Sequence, residues 1–201
     1  MTKGLVILLH GVGSNGEDLA GLGAHWASDL PEVAFSSPNA PYRFDHGPGY
    51  QWFSLAGVTP DNRAARVEAA REAFDQQLNA ILAEHQMQDQ LNKVVLVGFS
   101  QGSIMGIDAV ISGRWPIAGL VAFSGRLASP TPYHPATSTP VMLIHGMADS
   151  VIPYSESETA ALALAAAGIT ATTQFDPSTG HTISVQGARS AAAFIGRCLS
   201  A

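Results

Sequence analysis

Short apolar runs alternate with longer amphipathic stretches along this chain. Residues 5–9, 33–37, 94–97, 117–123, 141–144 and 170–175 read as strands. Several are apolar or β-branched throughout, as expected of strands covered on both faces of a parallel sheet. Between them the period changes to that of a helix. Across residues 62–86, Val67, Ala70, Phe74, Leu78 and Ile81 recur at spacings of three and four, while Arg66, Glu68, Arg71, Glu72 and Asp75 fall elsewhere. A second helix is predicted over 100–113. A third, Ala-rich, starts at Ser155, where Ser155 and Glu158 have capping-box spacing, and stops at Gly168. A fourth covers 182–199.

Strands alternating with helices of this length predict βαβ units with right-handed crossovers. The expected fold is therefore α/β: three layers, with a mostly parallel central sheet flanked by helices. A chain of 201 residues is long enough for one well-buried domain and short for two. Residues 129–140 and 47–60 read as loops within it, the second carrying Tyr50, Trp52 and Phe53.

Composition narrows the function. Hydrophobic residues make up 46% and charged residues 13%, so the chain should fold rather than remain disordered. A net charge of −6 opposes general affinity for nucleic acid phosphates. The apolar run at 5–9 is shorter than the roughly 7–15 residues of a signal-peptide core, and no small-residue cleavage site follows it. No stretch approaches the ~20 apolar residues of a membrane span. The single Cys198 permits no internal disulfide and reads as a packed thiol. A cytoplasmic enzyme is the expectation.

The strongest chemical signal is Gly98-Phe99-Ser100-Gln101-Gly102, lying directly after an apolar strand and before a helical segment. A G-x-S-x-G pattern in that setting predicts a nucleophile elbow. The serine sits on a strained turn, and glycines two positions to either side remove side chains that would clash. The helix N-terminus behind it favours negative charge on an attacked oxygen. Ser124-Gly125, at the end of another strand, is the rival.

A serine hydroxyl needs a base, and on this kind of fold the order is Ser, acid, His. Of seven histidines, His10, His25, His46 and His85 precede Ser100. His181 follows the last strand and precedes the last helix, which makes it the candidate base. His134 lies in a Pro-rich loop, and His145 reads as a structural strand-end residue. Asp149, past the strand at 141–144, is the candidate acid, with Asp176 as rival. It would fix the His181 tautomer and stabilise the imidazolium. The oxyanion of such a reaction needs two backbone N–H donors. Gln101 supplies one candidate. Val12, in the Gly-rich loop His10-Gly11-Val12-Gly13, supplies the other. That loop lacks the G-K-[ST] of a phosphate loop.

These elements, with His145-Gly-Met-Ala-Asp149-Ser-Val-Ile-Pro153, Gly180-His181, Gln51-Trp52-Phe53-Ser54 and Asp61-Asn62-Arg63, resemble the phospholipase/carboxylesterase family of α/β-hydrolases. The resemblance spans nearly the whole chain. It implies Ser100, Asp149 and His181 as a triad and Val12 and Gln101 as oxyanion donors. It also implies no cofactor and no metal, a small acyl ester as substrate, and a homodimer in many members. It puts the loop bearing Trp52 and Phe53 near the acyl pocket, although these rings, with Phe99, read equally well as core. Two departures stand out. The chain begins almost on the oxyanion-loop strand, so the fold should be reduced at its N-terminus, with an edge that is unpaired or covered by a partner subunit. Ser14 also stands where many relatives have Asp, which unsettles the expected hydrogen bonds of that loop.

The expected activity is hydrolysis of short-to-medium carboxylic esters through an acyl-enzyme. The alternatives are an acyl-protein thioesterase or lysophospholipase, and a non-catalytic ligand-binding protein of the same fold. The intact Ser-Asp-His set argues against the last.

Overall fold

A computed structural model describes residues 2–201, and Met1 lies outside the described residues. Six strands form one parallel sheet: β1 (Gly4–Leu9), β2 (Val33–Ser36), β5 (Val94–Phe99), β6 (Gly119–Phe123), β7 (Val141–Gly146) and β8 (Ala171–Asp176). Their spatial order is β2-β1-β5-β6-β7-β8, with every neighbouring pair parallel. Five helices cover it: α1 (Gly16–Trp26), α2 (Arg63–Glu84), α3 (Gln101–Ile111), α4 (Ser155–Ala166) and α5 (Val185–Ser200). A small antiparallel hairpin, β3 (Tyr42–Arg43) and β4 (Tyr50–Gln51), lies apart from the sheet within the expected long-loop region.

The sheet is apolar on both faces because successive side chains alternate between two cores. Leu5, Ile7 and Leu9 of β1 join Phe74, Leu78 and Ile107 of α2 and α3 on one side. Val6 and Leu8 join Trp26, Phe194 and Ile195 of α1 and α5 on the other. The predicted buried stripe of α2 is the observed one: Val67, Ala70, Phe74, Leu78 and Ile81 are all buried.

Several expectations need correction. The hydrophobic pattern predicts no helix over Gly16–Trp26, yet α1 forms, with Asn15 accepting from the Asp18 N–H as its cap. The predicted capping box at Ser155 does not form. Tyr154 occupies the cap position and makes no side-chain cap bond, so Ser155 already lies inside the helix. The last helix starts at Val185 rather than Thr182, capped by Ser184, which accepts from the Gly187 N–H. The sheet edge expected on the N-terminal side is present, but at β2 and not at β1. β1 is paired on both sides.

Helix α3 is buried along its whole length, which forces a solution for its one charge, Asp108. Arg71 grips that carboxylate with Nε and Nη2 at 2.8 and 2.7 Å, Arg114 donates at 2.9 Å, and Ser129 donates at 2.6 Å. Burial pushes the Asp108 carboxyl up, but the Arg71 and Ser129 bonds and the two arginine charges outweigh it and hold it below the usual carboxylate range. Arg114 continues the network to Asp75, so α2, α3 and the segment after α3 are bound through one buried cluster.

Removing one member of such a cluster strands the others. Asp108→Asn should lower unfolding stability in urea by about 3 kcal/mol near neutral pH. Asp108 binds its proton less tightly when folded, so its contribution is full above about pH 4, the ordinary carboxylate pKa. It is lost as pH falls through the lower folded value. The difference between wild type and variant should therefore hold at neutral pH and shrink in acid. A variant within about 0.5 kcal/mol of wild type at neutral pH contradicts this reading.

Candidate active site

All sheet strands are parallel, so their C-terminal ends share one edge, and the predicted site residues collect on the loops leaving that edge. Ser100 follows β5. It has φ 54° and ψ −116°, a left-handed backbone rare for a residue with a side chain. Two bonds hold this turn: Ser100 N–H to Phe123 O at 3.0 Å and Ile104 N–H to Ser100 O at 3.1 Å. A Cβ on Gly98 would stand 2.5 Å from Ser103 N, and one on Gly102 would stand 2.0 Å from Leu9 O. Both positions therefore require glycine.

His181 Nε2 lies 3.0 Å from Ser100 Oγ, and His181 Nδ1 lies 2.7 Å from Asp149 Oδ2. The other Asp149 oxygen accepts from the Val151 and Ile152 N–H groups at 2.8 and 2.9 Å. Burial raises the Asp149 carboxyl, but the His181 bond, the two N–H bonds and the His181 charge bring it below the usual range. The three predicted residues thus meet in one hydrogen-bonded line from three different loops. Phe99 packs on the His181 ring, with centroids 5.0 Å apart.

The rivals lie elsewhere. Asp176 accepts from Ser184 Oγ at 2.7 Å at the start of α5. Ser124 also has a positive φ, but its buried hydroxyl contacts no hydrogen-bonding group among the described residues. His145 is more than a strand end. Its Nε2 faces Ile152 O at 2.7 Å and Asp149 Oδ2 at 3.2 Å, and its Nδ1 meets Ser157 Oγ at 2.6 Å.

The second arm of the site is the loop after β1. The Val12 N–H and the Gln101 N–H, the latter in the first turn of α3, have no backbone partner among the described residues. The loop is fixed from behind. His10 is buried, its Nδ1–H on Gly11 O at 2.6 Å and its Nε2 accepting from the Ala40 N–H at 2.9 Å. Burial lowers its proton affinity, against an opposing pull from Gly11 O, which favours this neutral ring. Trp52 lies in the core, and its indole N–H donates to His10 O at 2.8 Å. The Gln101 side chain accepts from Trp52 N–H at 2.7 Å and donates to Phe53 O at 2.8 Å. Sequence reasoning used only the backbone of Gln101 and missed this clamp, which spans 49 positions. The hairpin also braces the loop, through Gly13 N–H to Tyr50 O and Tyr50 N–H to Ser14 O, each 2.8 Å. Ser14 itself donates to the Asp18 carboxylate.

Two concave lobes meet at Ser100. One, about 480 Å³, is lined by Leu19, Phe99, Ile183 and His181. The other, about 290 Å³, is lined by Phe53, Ile104, Ile152, Arg63 and Arg126. Val12 and Val151 border both. Phe53 thus lines a lobe at Ser100, whereas Trp52 lines neither. Among the described residues no group of three or more His, Cys, Asp or Glu side chains is placed to hold a metal ion. Nor is any described helix long and apolar enough to cross a membrane.

The clamp yields a prediction. Gln101→Leu keeps the backbone N–H but leaves the buried Trp52 N–H and Phe53 C=O unsatisfied, at ~1–3 kcal/mol each. Urea denaturation should show a loss of about 2–6 kcal/mol. A loss below about 0.5 kcal/mol means the clamp does not hold the loop.

Known proteins resemble this chain in sequence and in fold. The sequence model of the phospholipase/carboxylesterase family matches residues 1–199. Esterase YpfH of Escherichia coli K12 is 34% identical over 179 residues, covering 89% of this chain and 76% of that protein. Acyl-protein thioesterase 1 of Emericella nidulans is 29% identical over 168 residues, covering 74% of this chain and 70% of that protein. The crystal structure of esterase PE8 superposes with a TM-score of 0.87 at 35% identity, covering 98% of this chain and 93% of that one. The chain belongs to the phospholipase/carboxylesterase family of α/β-hydrolases and is a hydrolase of the carboxylesterase type.

Proposed function

We propose that this protein hydrolyses short-to-medium carboxylic esters through an acyl-enzyme on Ser100. The observation that carries the reading is the line Ser100 Oγ–His181–Asp149, with contacts of 3.0 and 2.7 Å. Ser100 Oγ attacks the ester carbon while its proton passes to His181 Nε2. Asp149 keeps the other ring proton on Nδ1 and stabilises the imidazolium. The Val12 and Gln101 N–H groups receive the oxyanion. His181 then protonates the departing alcohol, and water attacks the acyl-enzyme by the same route in reverse. Phe53 touches substrate. Trp52 and the Gln101 side chain act through the loop and are positioning residues, as is His145 behind Asp149. No step calls on a metal or a cofactor.

The alternative is an acyl-protein thioesterase or lysophospholipase, and the name of the Emericella nidulans relative is its support. Short-to-medium esters fit within the lobes of about 290 and 480 Å³ that meet at Ser100. A cytoplasmic location belongs to the same reading and is supported by the single cysteine. A homodimer rests on family resemblance.

Kinetics on p-nitrophenyl butyrate, a long acyl thioester and a lysolipid test the proposal. The butyrate should give the highest kcat/KM. Ser100→Ala and His181→Ala should each lower kcat by about four to six orders of magnitude, and Asp149→Asn by about four. Turnover within tenfold of wild type in Ser100→Ala sinks the proposal. Preference for the thioester or lysolipid moves the enzyme to the alternative.

A further inference from the structure

The smaller lobe at Ser100 carries two arginines, Arg63 and Arg126, whose side chains make no hydrogen bond among the described residues. Arg63 is the first residue of α2, at the positive end of the helix, where an acid is favoured and a cation is not. No acidic residue stands in that first turn. Arg126, past the end of β6, has a side chain only 15% exposed. Its anionic neighbour Glu156 is 3.8 Å away, beyond hydrogen-bonding distance, and is 36% exposed. Nearby arginines are differently employed. Arg66 donates to Ser54 O and Ala56 O, and Arg71 and Arg114 hold Asp108. Burial, and then the charge of Arg63, weaken the hold of Arg126 on its proton. Two partly desolvated like charges in one cavity cost stability, a conflict characteristic of functional sites. Their planar donor forks match a carboxylate. With Glu156 counted, two positive charges and one negative leave one positive, which a single carboxylate balances.

The lobes are not equivalent for the reaction. His181 lines the larger lobe and not the smaller one. His181 must hand its proton to the departing alcohol, so the alcohol lies on the side of Leu19, Phe99 and Ile183. The acyl chain then extends past Phe53 toward the arginines. Resting on the esterase reading above, we infer that the preferred acyl group carries a distal carboxylate, held by Arg63 and Arg126. The substrates are half-esters of dicarboxylic acids with an apolar alcohol.

Three esters test this: monobenzyl adipate, its neutral counterpart benzyl hexanoate, and 4-carboxybenzyl hexanoate, which moves the carboxylate to the alcohol. Wild type should prefer the adipate over benzyl hexanoate by about tenfold or more in kcat/KM, the scale of one charge-assisted hydrogen bond. Arg63→Gln and Arg126→Gln should each reduce that ratio about tenfold, and Arg126→Lys should retain part of it. Arg197→Gln, an equal charge change on exposed α5 surface, should leave the ratio as in wild type. A wild-type ratio of one or less, or a ratio unmoved by the lobe variants, overturns the inference. If instead 4-carboxybenzyl hexanoate is preferred and loses its advantage in the arginine variants, the acyl assignment is overturned. Wild type that turns over benzyl hexanoate without favouring the adipate strikes only this inference. Wild type that hydrolyses none of the three strikes the esterase reading as well.

Discussion

Helix α3 starts so close to β1 that a single methyl group at Gly102 would stand 2.0 Å from the Leu9 carbonyl. That approach ties two loops together. Leu9 lies opposite Gly98 in the β1–β5 ladder, so the chain leaving β1 and the chain leaving β5 emerge side by side. Ser100 is thereby held in a left-handed conformation that costs of order 1–3 kcal/mol in isolation. Its hydroxyl is directed to His181 instead of capping the helix it precedes. Val12 and Gln101 line the smaller lobe beside Ser100 for the same reason.

The surrounding polar groups keep this junction rigid. Neutral His10 spans the loop and the Ala40 N–H, and the Trp52 indole closes on the His10 carbonyl. The Gln101 side chain then fixes the Trp52–Phe53 segment, of which Phe53 walls the smaller lobe. Asp149 is held by backbone N–H groups on one oxygen and by His181 on the other, with His145 alongside. Buried polar groups of this kind specify one arrangement because leaving any of them unpaired is costly.

Sequence patterning revealed most of the frame, for reasons visible in individual residues. Strands β1, β5 and β7 are apolar enough on both faces to announce a covered parallel sheet, and Val67 to Ile81 announce the stripe of α2. Glycines at 98 and 102 around a serine marked the strained turn because no other residue fits there. Helix α1 escaped notice because Gly16, Gly21 and Gly23 weaken its helical signal, while its cap and its packing through Trp26 restore it. The strands of the hairpin are two residues each, too short for a period to register. Ser155 and Glu158 had the right spacing, but the helix began one residue earlier than that pairing needs. The Gln101 clamp, the Arg71–Asp108 cluster and the meeting of Arg63 with Arg126 join residues far apart in the chain, and no local pattern encodes them.

In the proposed mechanism Ser100 becomes covalently acylated because His181 activates it. Intact-mass spectrometry after exposure to a fluorophosphonate tests this most directly, with peptide mapping to locate the adduct. One adduct per chain on Ser100, formed rapidly in wild type and at least about a thousandfold more slowly in His181→Ala, is the predicted result. No adduct, an adduct on Ser124, or equal labelling rates in the two proteins would contradict the account.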